Sequence, residues 1–302
     1  MKSSDEISDC VVIGGGPAGL SAGIYAARFG LKVLLLSSPE TLSQAESATE
    51  IENYAGFKSI PGAELVSKMR EHAVAAGVRI VDEKAVSLTD GKVKTVFTET
   101  GKHSAKSIII ATGAAHRKGG VPGEEELRGK GVSYCATCDG PLFKGKPVVV
   151  WGGGDSALSY AIYLANIGCA VTLVHRRKEF RAAAAQVEKA KKAGVKFVLE
   201  RTVAEIKGKK SVESVVLDDK SEIKCSAVFV AIGEVPAVEL ARSAGVAVDE
   251  NGFIIAKEDC VTNVAGIFVA GDVRTKLFRQ IATSVGDGAV AALSAFKFVR
   301  NG

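Results

Sequence analysis

The chain has 302 residues, of which 47% are hydrophobic and 24% charged, and its formal net charge is +5. The length exceeds that of most single-core domains, so we expect two domains. This composition is that of a globular protein and excludes an intrinsically disordered chain. The charge is too small to favour nucleic acid, and no apolar run is long enough for a signal peptide or a membrane span. We therefore predict a cytoplasmic protein without a nucleic-acid or membrane partner.

The first strongly patterned segment predicts a strand, a tight turn, a helix and a second strand. Val11–Ile13 and Lys32–Leu36 are apolar runs typical of buried parallel strands. Between them lies Gly14-x-Gly16-x-x-Gly19, whose glycines permit a tight turn, close approach of a pyrophosphate and close packing of helix on strand. The N-terminus of the helix would present free N–H groups to the phosphates. The segment therefore predicts a dinucleotide site.

Two cysteines, Cys135 and Cys138, are separated by only two residues. This spacing closes a small disulfide ring and suits a helix N-terminus, where the pKa of a thiol falls. A zinc site would need a second ligand pair, and a buried structural pair is the other alternative; we predict no metal. Asp139 either exchanges a proton with a thiolate or caps a helix. The other cysteines are expected to be buried, inert residues: Cys10, Cys169, Cys225 and Cys260.

An internal repeat relates two parts of the chain. When Val11–Leu36 is aligned with Val149–Val174, 13 of the 26 positions are identical. The second copy contains Gly152-x-Gly154-x-x-Ala157 and predicts the same strand–turn–helix–strand unit. Two such motifs in register are a much more specific signal than one. Two dinucleotide sites indicate an oxidoreductase that passes a hydride between cofactors.

Basic residues follow the second strand of the second copy. His175, Arg176, Arg177 and Arg181 begin about twenty residues after Gly154, where an NAD-binding protein has an acidic residue for the ribose hydroxyl. Guanidinium groups match a 2′-phosphate and keep their charge. The cluster predicts NADPH, and a solvated basic surface is the alternative.

The first copy is then expected to hold the other dinucleotide, FAD. Towards the end of the chain, an apolar strand runs into Gly271-Asp272, which places a carboxylate where a flavin ribityl hydroxyl could reach it. Arg279-Gln280-Ile281-Ala282 follows, and then a helix predicted over Ser284–Phe298. The positive end of that helix would face the pyrimidine end of the flavin, which is negative when reduced.

Together these motifs resemble the low-molecular-weight thioredoxin reductases over nearly the whole chain. The resemblance rests on the two glycine motifs, on Cys-Ala-Thr-Cys-Asp-Gly at 135–140, on His-Arg-Arg-x-x-x-Arg at 175–181 and on the Gly271-Asp272 tail. It implies two Rossmann-like, three-layer α/β domains, one inserted in the other. Residues 1–114 and 233–302 would form the FAD domain, and residues 115–232 an NADPH domain that carries the cysteine pair.

The resemblance also implies the activity and the roles of residues. A hydride would pass from NADPH to FAD, and the reduced flavin would open the Cys135–Cys138 disulfide. Cys138 would face the flavin, Cys135 would attack a thioredoxin-like partner, Asp139 would act as acid and base, and the enzyme would be a homodimer. FAD contacts are expected from Gly14, Gly16, Pro17, Ala18, Gly19, Glu40, Gln44, Asn53, Val86, Ala111, Thr112, Gly113, Gly271, Asp272, Arg279, Gln280, Ile281 and Ala282. NADPH contacts are expected from Gly152, Gly154, Asp155, Ser156, Ala157, His175, Arg176, Arg177 and Arg181.

The sequence departs from the family pattern on the FAD side. Leu42-Ser43-Gln44 stands where the family usually has Gly-Gly-Gln, and Glu40 is the nearest acidic residue to the end of the second strand.

Three alternative functions remain open. They are a flavin disulfide reductase with another electron donor, one with another protein target, and a flavin-bound redox sensor.

Overall fold

The structure is a computed structural model that describes residues 7–41, 43–48, 50–180 and 184–301. The chain divides into two compact units, Met1–Ala115 with Val235–Gly302, and His116–Glu234. Two short strands, Ala114–His116 and Glu234–Pro236, pair where the chain leaves the first unit and returns to it. One unit is therefore inserted in the sequence of the other.

The elements are numbered in chain order. The strands are β1 (Ser8–Ile13), β2 (Val33–Ser37), β3 (Arg79–Asp82), β4 (Ala85–Thr89), β5 (Lys94–Thr98), β6 (Lys102–Ile110), β7 (Ala114–His116), β8 (Val132–Ser133), β9 (Pro147–Trp151), β10 (Ala170–His175), β11 (Lys196–Leu199), β12 (Val203–Lys207), β13 (Ser214–Leu217), β14 (Glu222–Lys224), β15 (Ala227–Val230), β16 (Glu234–Pro236) and β17 (Ile267–Val269). The helices are α1 (Pro17–Arg28), α2 (Gly62–Ala75), α3 (Ala136–Asp139), α4 (Asp155–Asn166), α5 (Ala184–Lys192), α6 (Glu239–Ser243) and α7 (Ile281–Asn301). A 3₁₀ turn at Gly140–Phe143 follows α3.

The first unit is built on a parallel sheet in the order β3-β2-β1-β6, with β17 parallel to the end of β6. The antiparallel strands β5 and β4 extend the sheet from the start of β6. Side chains of α1, α2 and α7 cover one face, and a second apolar cluster that includes α6 covers the other. Burial on both faces explains why β1 and β2 read as continuous apolar runs.

The second unit repeats this plan. Its parallel sheet has the order β11-β10-β9-β15-β8, and α4 and α5 pack on one face. The antiparallel strands β12, β13 and β14 pack on the other face. The registers of the two copies are equivalent, because Val11 pairs with Leu34 and Val149 pairs with Thr172, each shifted by 138 residues. The internal repeat is therefore a repeat of structure.

Helix α7 is longer than predicted. It begins at Ile281 instead of Ser284 and extends to Asn301. The early start has a local cause, because the Oγ1 atom of Thr283 accepts a hydrogen bond from the backbone N–H of Gln280, at 3.1 Å. The carbonyl of Gln280 in turn accepts the N–H of Ser284, at 2.9 Å. The first of these bonds is one half of a capping box, the second is a regular helical bond, and together they start the helix one turn early. None of the helices in the described residues has the length and hydrophobicity needed to cross a bilayer.

Candidate active site

The turn after β1 lies against neighbouring backbone with no space for side chains. Gly14 has φ +120°, and a Cβ on it would lie 2.2 Å from the carbonyl oxygen of Ala111. A Cβ on Gly19 would lie 1.9 Å from the oxygen of Gly14, so α1 packs directly on the turn. Gly16 is the extended N-cap of α1, and the first helical turn has no acidic residue. The free N–H groups of this turn therefore fit an anionic pyrophosphate.

The carboxyl ends of three neighbouring strands bring the two chain termini to this turn. Ala111 continues β6, and its N–H is bonded to β1 at 2.8 Å; Ala270 continues β17, and its N–H is bonded to β6 at 2.9 Å. Gly271 follows, and a Cβ on it would lie 2.7 Å from the Cβ of Ala18 in α1. The predicted FAD residues at both ends of the chain thus meet at one edge of the sheet. In open α/β sheets this edge is where ligands bind.

Asp272 lies at this edge with a largely buried carboxyl group. Its Oδ1 accepts a hydrogen bond from the hydroxyl of Ser284, at 3.0 Å, and lies 4.0 Å from the Nζ of Lys276. Burial raises the pKa of the Asp272 carboxyl, and the nearby Lys276 charge and the Ser284 hydroxyl partly oppose this. Arg279 donates to the backbone oxygen of Asp272 at 3.2 Å and stacks on Phe253 at 3.8 Å. In this structure, therefore, the Arg279 side chain stabilises the loop that follows Asp272.

A second carboxylate, Asp287 on α7, supports the same loop and was not predicted from the sequence. Its Oδ2 accepts the N–H of Gly271 at 3.1 Å and the Nζ of Lys276 at 2.8 Å. Its Oδ1 accepts the Nη1 of Arg274 at 2.9 Å. Asp287 lies one turn after Ser284 on the helix, so both side chains face the loop. An acidic residue one helical turn beyond the predicted helix start was the available signal.

The residues predicted to hold the adenosine end of FAD lie around the end of β2. Glu40 is exposed, and its carboxylate pairs with Lys84 at 3.1 Å. That ion pair brings the start of β4, with the exposed Val86, close to Glu40. A ribose at this position would compete with Lys84 for the Glu40 carboxylate.

The remaining predicted FAD residues contact one another or the backbone. The Nδ2 of Asn53 donates to the Oε1 of Gln280 at 3.0 Å. This pair lies at the start of α7, whose first turn contains Ile281 and Ala282. The Gln44 side chain donates to the carbonyl of Ala114. The hydroxyl of Thr112 donates to the carbonyl of Ala237 at 2.7 Å, and Gly113 has φ +70°.

The turn after β9 repeats the geometry of the first turn. Gly152 has φ +155°, and a Cβ on it would lie 2.1 Å from the oxygen of Ala231. Gly154 is the extended N-cap of α4, and the space beside it is open. A Cβ on Gly152 would also lie 3.0 Å from the Cβ of Ala157. Asp155 and Ser156, both exposed, occupy the first turn of α4.

The basic residues after β10 lie at the same sheet edge as this turn, because β9 and β10 are parallel neighbours. Arg176 and Arg177 are exposed, whereas the His175 ring is buried and packs against Gly153. The Nε2 of His175 bonds the carbonyl oxygen of Glu179 at 3.1 Å.

Ser37 packs against Gly15 in the first copy as His175 packs against Gly153 in the second, 138 residues later. His175 therefore supports the turn, and the two arginines are the groups open to a phosphate. The fourth predicted basic residue, Arg181, lies outside the described residues.

The cysteine pair forms a disulfide at the start of the short helix α3. Cys135 and Cys138 are bonded, with Cα atoms 5.3 Å apart. Cys135 is the N-cap of α3, and its Sγ accepts the backbone N–H of Cys138 at 3.2 Å. The same sulfur lies 3.4 Å from the hydroxyl of Thr137. Both donors would stabilise a thiolate on Cys135 after the disulfide is opened.

Asp139 is the last residue of α3, and its side chain makes no capping hydrogen bond to the 3₁₀ turn that follows. The capping alternative therefore has no support from the geometry.

The other four cysteines are buried, as expected. Burial raises the pKa of Cys10 and Cys225 to about 12 and that of Cys260 to about 11, so these thiols stay protonated at neutral pH. No cluster of metal-ligating side chains occurs among the residues that the structure describes.

Two dinucleotide turns and a disulfide of this spacing define a class of protein, the nucleotide-dependent disulfide oxidoreductases. The comparisons with known proteins agree. The chain belongs to the pyridine nucleotide-disulphide oxidoreductase family, whose model matches residues 8–288. The predicted family is confirmed.

Relatives within this family match almost the whole chain. Thioredoxin reductase of Listeria innocua is 44% identical over 307 residues, which cover 99% of this chain and 96% of that protein. The crystal structure of thioredoxin reductase from Streptococcus pyogenes has 37% identity and a TM-score of 0.90, covering 99% of this chain and 100% of that one. Thioredoxin reductase from Giardia duodenalis has 35% identity and a TM-score of 0.93, covering 98% and 100%. The predicted fold class, two Rossmann-like domains with one inserted in the other, is confirmed by these matches.

Proposed function

We propose that this chain is an NADPH-dependent thioredoxin-disulfide reductase that uses FAD. The observation that carries the proposal is the disulfide between Cys135 and Cys138, in a chain with two dinucleotide turns. Curated relatives that share 40–44% of their residues with nearly the whole chain carry the name thioredoxin reductase. NADPH and the disulfide of a thioredoxin are thus the two substrates, and NADP⁺ and the thioredoxin dithiol are the products.

Each unit has a separate task. Unit Met1–Ala115 with Val235–Gly302 binds FAD between the turn at Gly14–Gly19 and the Asp272 loop. Unit His116–Glu234 binds NADPH at the turn at Gly152–Ala157 and carries the cysteine pair. The tight turns, the free helix N-termini and the buried Asp272 carboxylate support the first assignment. Exposed guanidinium groups at the end of β10 support the second.

FAD, when bound, accepts a hydride from NADPH and supplies two electrons to the disulfide. The protein binds the pyrophosphate of each dinucleotide at a helix N-terminus and binds the 2′-phosphate with Arg176 and Arg177. When the disulfide accepts two electrons, the bond between Cys135 and Cys138 breaks and leaves a thiolate on each cysteine, and the Cys138 thiolate then takes up a proton. The thiolate on Cys135 is stabilised by the N–H of Cys138 and the hydroxyl of Thr137.

The dithiol then reduces the protein substrate. The Cys135 thiolate attacks the substrate disulfide and forms a mixed disulfide, and the other substrate sulfur leaves as a thiolate. Cys138 attacks the mixed disulfide, restores the internal disulfide and releases the second substrate sulfur. Asp139 exchanges protons with Cys138 and with the leaving thiolate, since a carboxyl group beside the pair can serve as both acid and base.

Assembly and location complete the proposal. The enzyme is a cytoplasmic homodimer whose protein partner is a thioredoxin or thioredoxin-like protein, without a nucleic-acid or membrane partner. The cytoplasmic location is supported by the four cysteines that remain free thiols in the structure.

The test is an anaerobic titration of the FAD-loaded protein with NADPH, followed by the visible absorbance of the flavin. We expect four electrons to be taken up per chain, two by the flavin and two by the disulfide. Uptake of two electrons would leave the cysteines outside the reaction and would overturn the proposal. A parallel titration with NADH identifies the electron donor. Multiple turnovers with a thioredoxin distinguish an enzyme from a flavin-bound redox sensor.

A further inference from the structure

A buried carboxylate, that of Glu124, is hydrogen-bonded to Tyr134, the residue that precedes the cysteine pair. Glu124 is 2% exposed, and Tyr134, the neighbour of Cys135, is 8% exposed. The hydroxyl of Tyr134 donates a hydrogen bond to the Oε1 of Glu124 at 2.7 Å. Burial and this acceptor raise the pKa of the Tyr134 hydroxyl, so it remains a donor at neutral pH. The two side chains form one buried link to the segment that holds Cys135.

The Glu124 carboxylate receives hydrogen bonds from uncharged donors alone among the described residues. The backbone N–H of Gly119 donates to Oε1 at 3.0 Å, and that of Gly120 donates to Oε2 at 2.7 Å. With the Tyr134 hydroxyl, three donors converge on one acceptor-only group. The charged residue next in sequence, Glu125, is exposed and pairs instead with Lys118 at 2.7 Å. A buried carboxylate held in this way fixes all of its donors in place.

Two side chains contact the Tyr134 ring. The His116 ring stacks on it at 5.1 Å with an interplanar angle of 13°, and the guanidinium of Arg128 lies 5.7 Å from its centroid. Burial and the Arg128 charge lower the pKa of His116 to about 4, so the stacked imidazole is neutral at pH 7. The backbone oxygen of Tyr134 accepts the hydroxyl of Tyr160 at 3.2 Å. Tyr134 therefore has little freedom to shift.

Cys135 follows Tyr134 directly, so the restricted position of Tyr134 also restricts the backbone of Cys135. The N–H of Cys135 donates to the hydroxyl of Ser133 at 3.0 Å, and its Sγ accepts the N–H of Cys138 at 3.2 Å. The second bond depends on where the Cys135 backbone sits, because the sulfur is attached to it through a single methylene group. A hydrogen bond to sulfur stabilises the thiolate only while the donor stays aligned.

We propose that Glu124 is a positioning residue for the thiol chemistry, which acts through Tyr134 to hold the Cys135 sulfur on the N–H of Cys138. The inference rests on the proposed function, because it assigns Cys135 as the attacking thiolate. The hydrogen bonds of Glu124 link it to the Tyr134 hydroxyl and to the backbone of Gly119 and Gly120, and do not involve the sulfur atoms. Their effect is on the fraction of Cys135 that is thiolate once the disulfide is open.

Two variants test this link, and a neighbouring residue provides the control. In Glu124→Gln the new NH₂ group must face at least one of the three donors, so at least one hydrogen bond is lost. Tyr134→Phe removes the hydroxyl and keeps the ring, and it is the milder change if Glu124→Gln folds poorly. Glu125→Gln makes the same chemical substitution at the adjacent exposed position.

The readout is the pH dependence of Cys135 alkylation by iodoacetamide in full-length protein that also carries Cys138→Ser. We expect Glu124→Gln and Tyr134→Phe to raise the pKa of Cys135 and to slow its alkylation at pH 7 by about threefold or more. Glu125→Gln should match the parent protein. Reduction of bound flavin by NADPH, measured with Cys138 intact, should be unchanged in all three.

An unchanged pKa of Cys135 in both Glu124→Gln and Tyr134→Phe would overturn the proposal, even if the melting temperature fell, because a purely structural role lowers stability alone. Failure of the proposed function would look different. The parent protein would then not reduce thioredoxin with NADPH, whereas the alkylation experiment needs neither nucleotide nor thioredoxin.

Discussion

Two glycines on α7 face different surroundings although they are only two residues apart. Gly286 is exposed, and a Cβ added to it would meet no atom within 4 Å. Gly288 is buried against α1, and a Cβ added there would lie 2.3 Å from the carbonyl oxygen of Ala18 and 2.9 Å from the nitrogen of Ala22. The same substitution, glycine to alanine, should therefore have opposite effects at the two positions.

The expected magnitudes follow from helix propensity and packing. Alanine in place of an exposed glycine inside a helix stabilises it by roughly 0.5–1 kcal/mol. At Gly288 the added methyl group meets backbone atoms, which cannot rotate away, so α1 and α7 must separate by about 1 Å. Overpacking of this kind costs about 1–3 kcal/mol, and contact with backbone places Gly288→Ala at the upper end, about 2 kcal/mol after the helix gain. The two variants should differ by about 3 kcal/mol.

Thermal unfolding of the FAD-free protein, followed by circular dichroism, measures this difference without a contribution from the flavin. At roughly 2–4 °C per kcal/mol, Gly286→Ala should raise the melting temperature by a few degrees and Gly288→Ala should lower it by about 4–8 °C. Because the Ala18 carbonyl belongs to the first turn of α1, Gly288→Ala should also weaken FAD binding. Equal melting temperatures for the two variants would refute the close approach of α7 to α1.

Three further predictions concern the site itself. Arg176→Ala combined with Arg177→Ala should raise the KM for NADPH about tenfold or more and leave that for NADH nearly unchanged, and equal effects on both would mean that the 2′-phosphate binds elsewhere. Cys138→Ser should keep bound FAD and its reduction by NADPH but abolish thioredoxin reduction, and residual turnover would contradict the assigned role. Asp272→Asn should weaken FAD binding, measured by flavin fluorescence, and stabilise the FAD-free protein at pH 7. Since burial raises the pKa of this carboxyl, the ionised form opposes folding above its ordinary pKa, and the gain in melting temperature should disappear near pH 3.

The turn geometry was predictable from the sequence because a position without space for a Cβ must be occupied by glycine, and glycine is visible in the sequence. Gly14 and Gly152 are needed where a Cβ would overlap the backbone oxygens of Ala111 and Ala231. The same requirement occurs in both copies of the repeat, which are 138 residues apart in the sequence. For His175 the sequence predicted a contact with NADPH, and only the packed structure shows that its ring is buried against Gly153.

Side chains that support the site from a distance left no such trace. Asp287 bonds the N–H of Gly271, sixteen residues earlier in the chain, and Glu124 bonds Tyr134, ten residues later. A lone carboxylate in a helix or loop is most often a solvated surface group, so Glu124 did not stand out in the sequence, and for Asp287 the only signal was its place one turn beyond the predicted helix start. Their importance depends on burial and on donors brought together by other elements.

The sequence by itself determined the two strand–turn–helix–strand units with their dinucleotide turns, and the cysteine pair. Each of these rests on local chemistry, namely backbone space at glycine, apolar periodicity and the closure of a small disulfide ring. The insertion of one domain in the other was implied by the family resemblance. Only the tertiary structure decided which carboxylates are buried and which carry a salt bridge at the surface. The physical reason is that desolvation and hydrogen-bond geometry depend on neighbours distant in the chain, and no spacing within one segment records them.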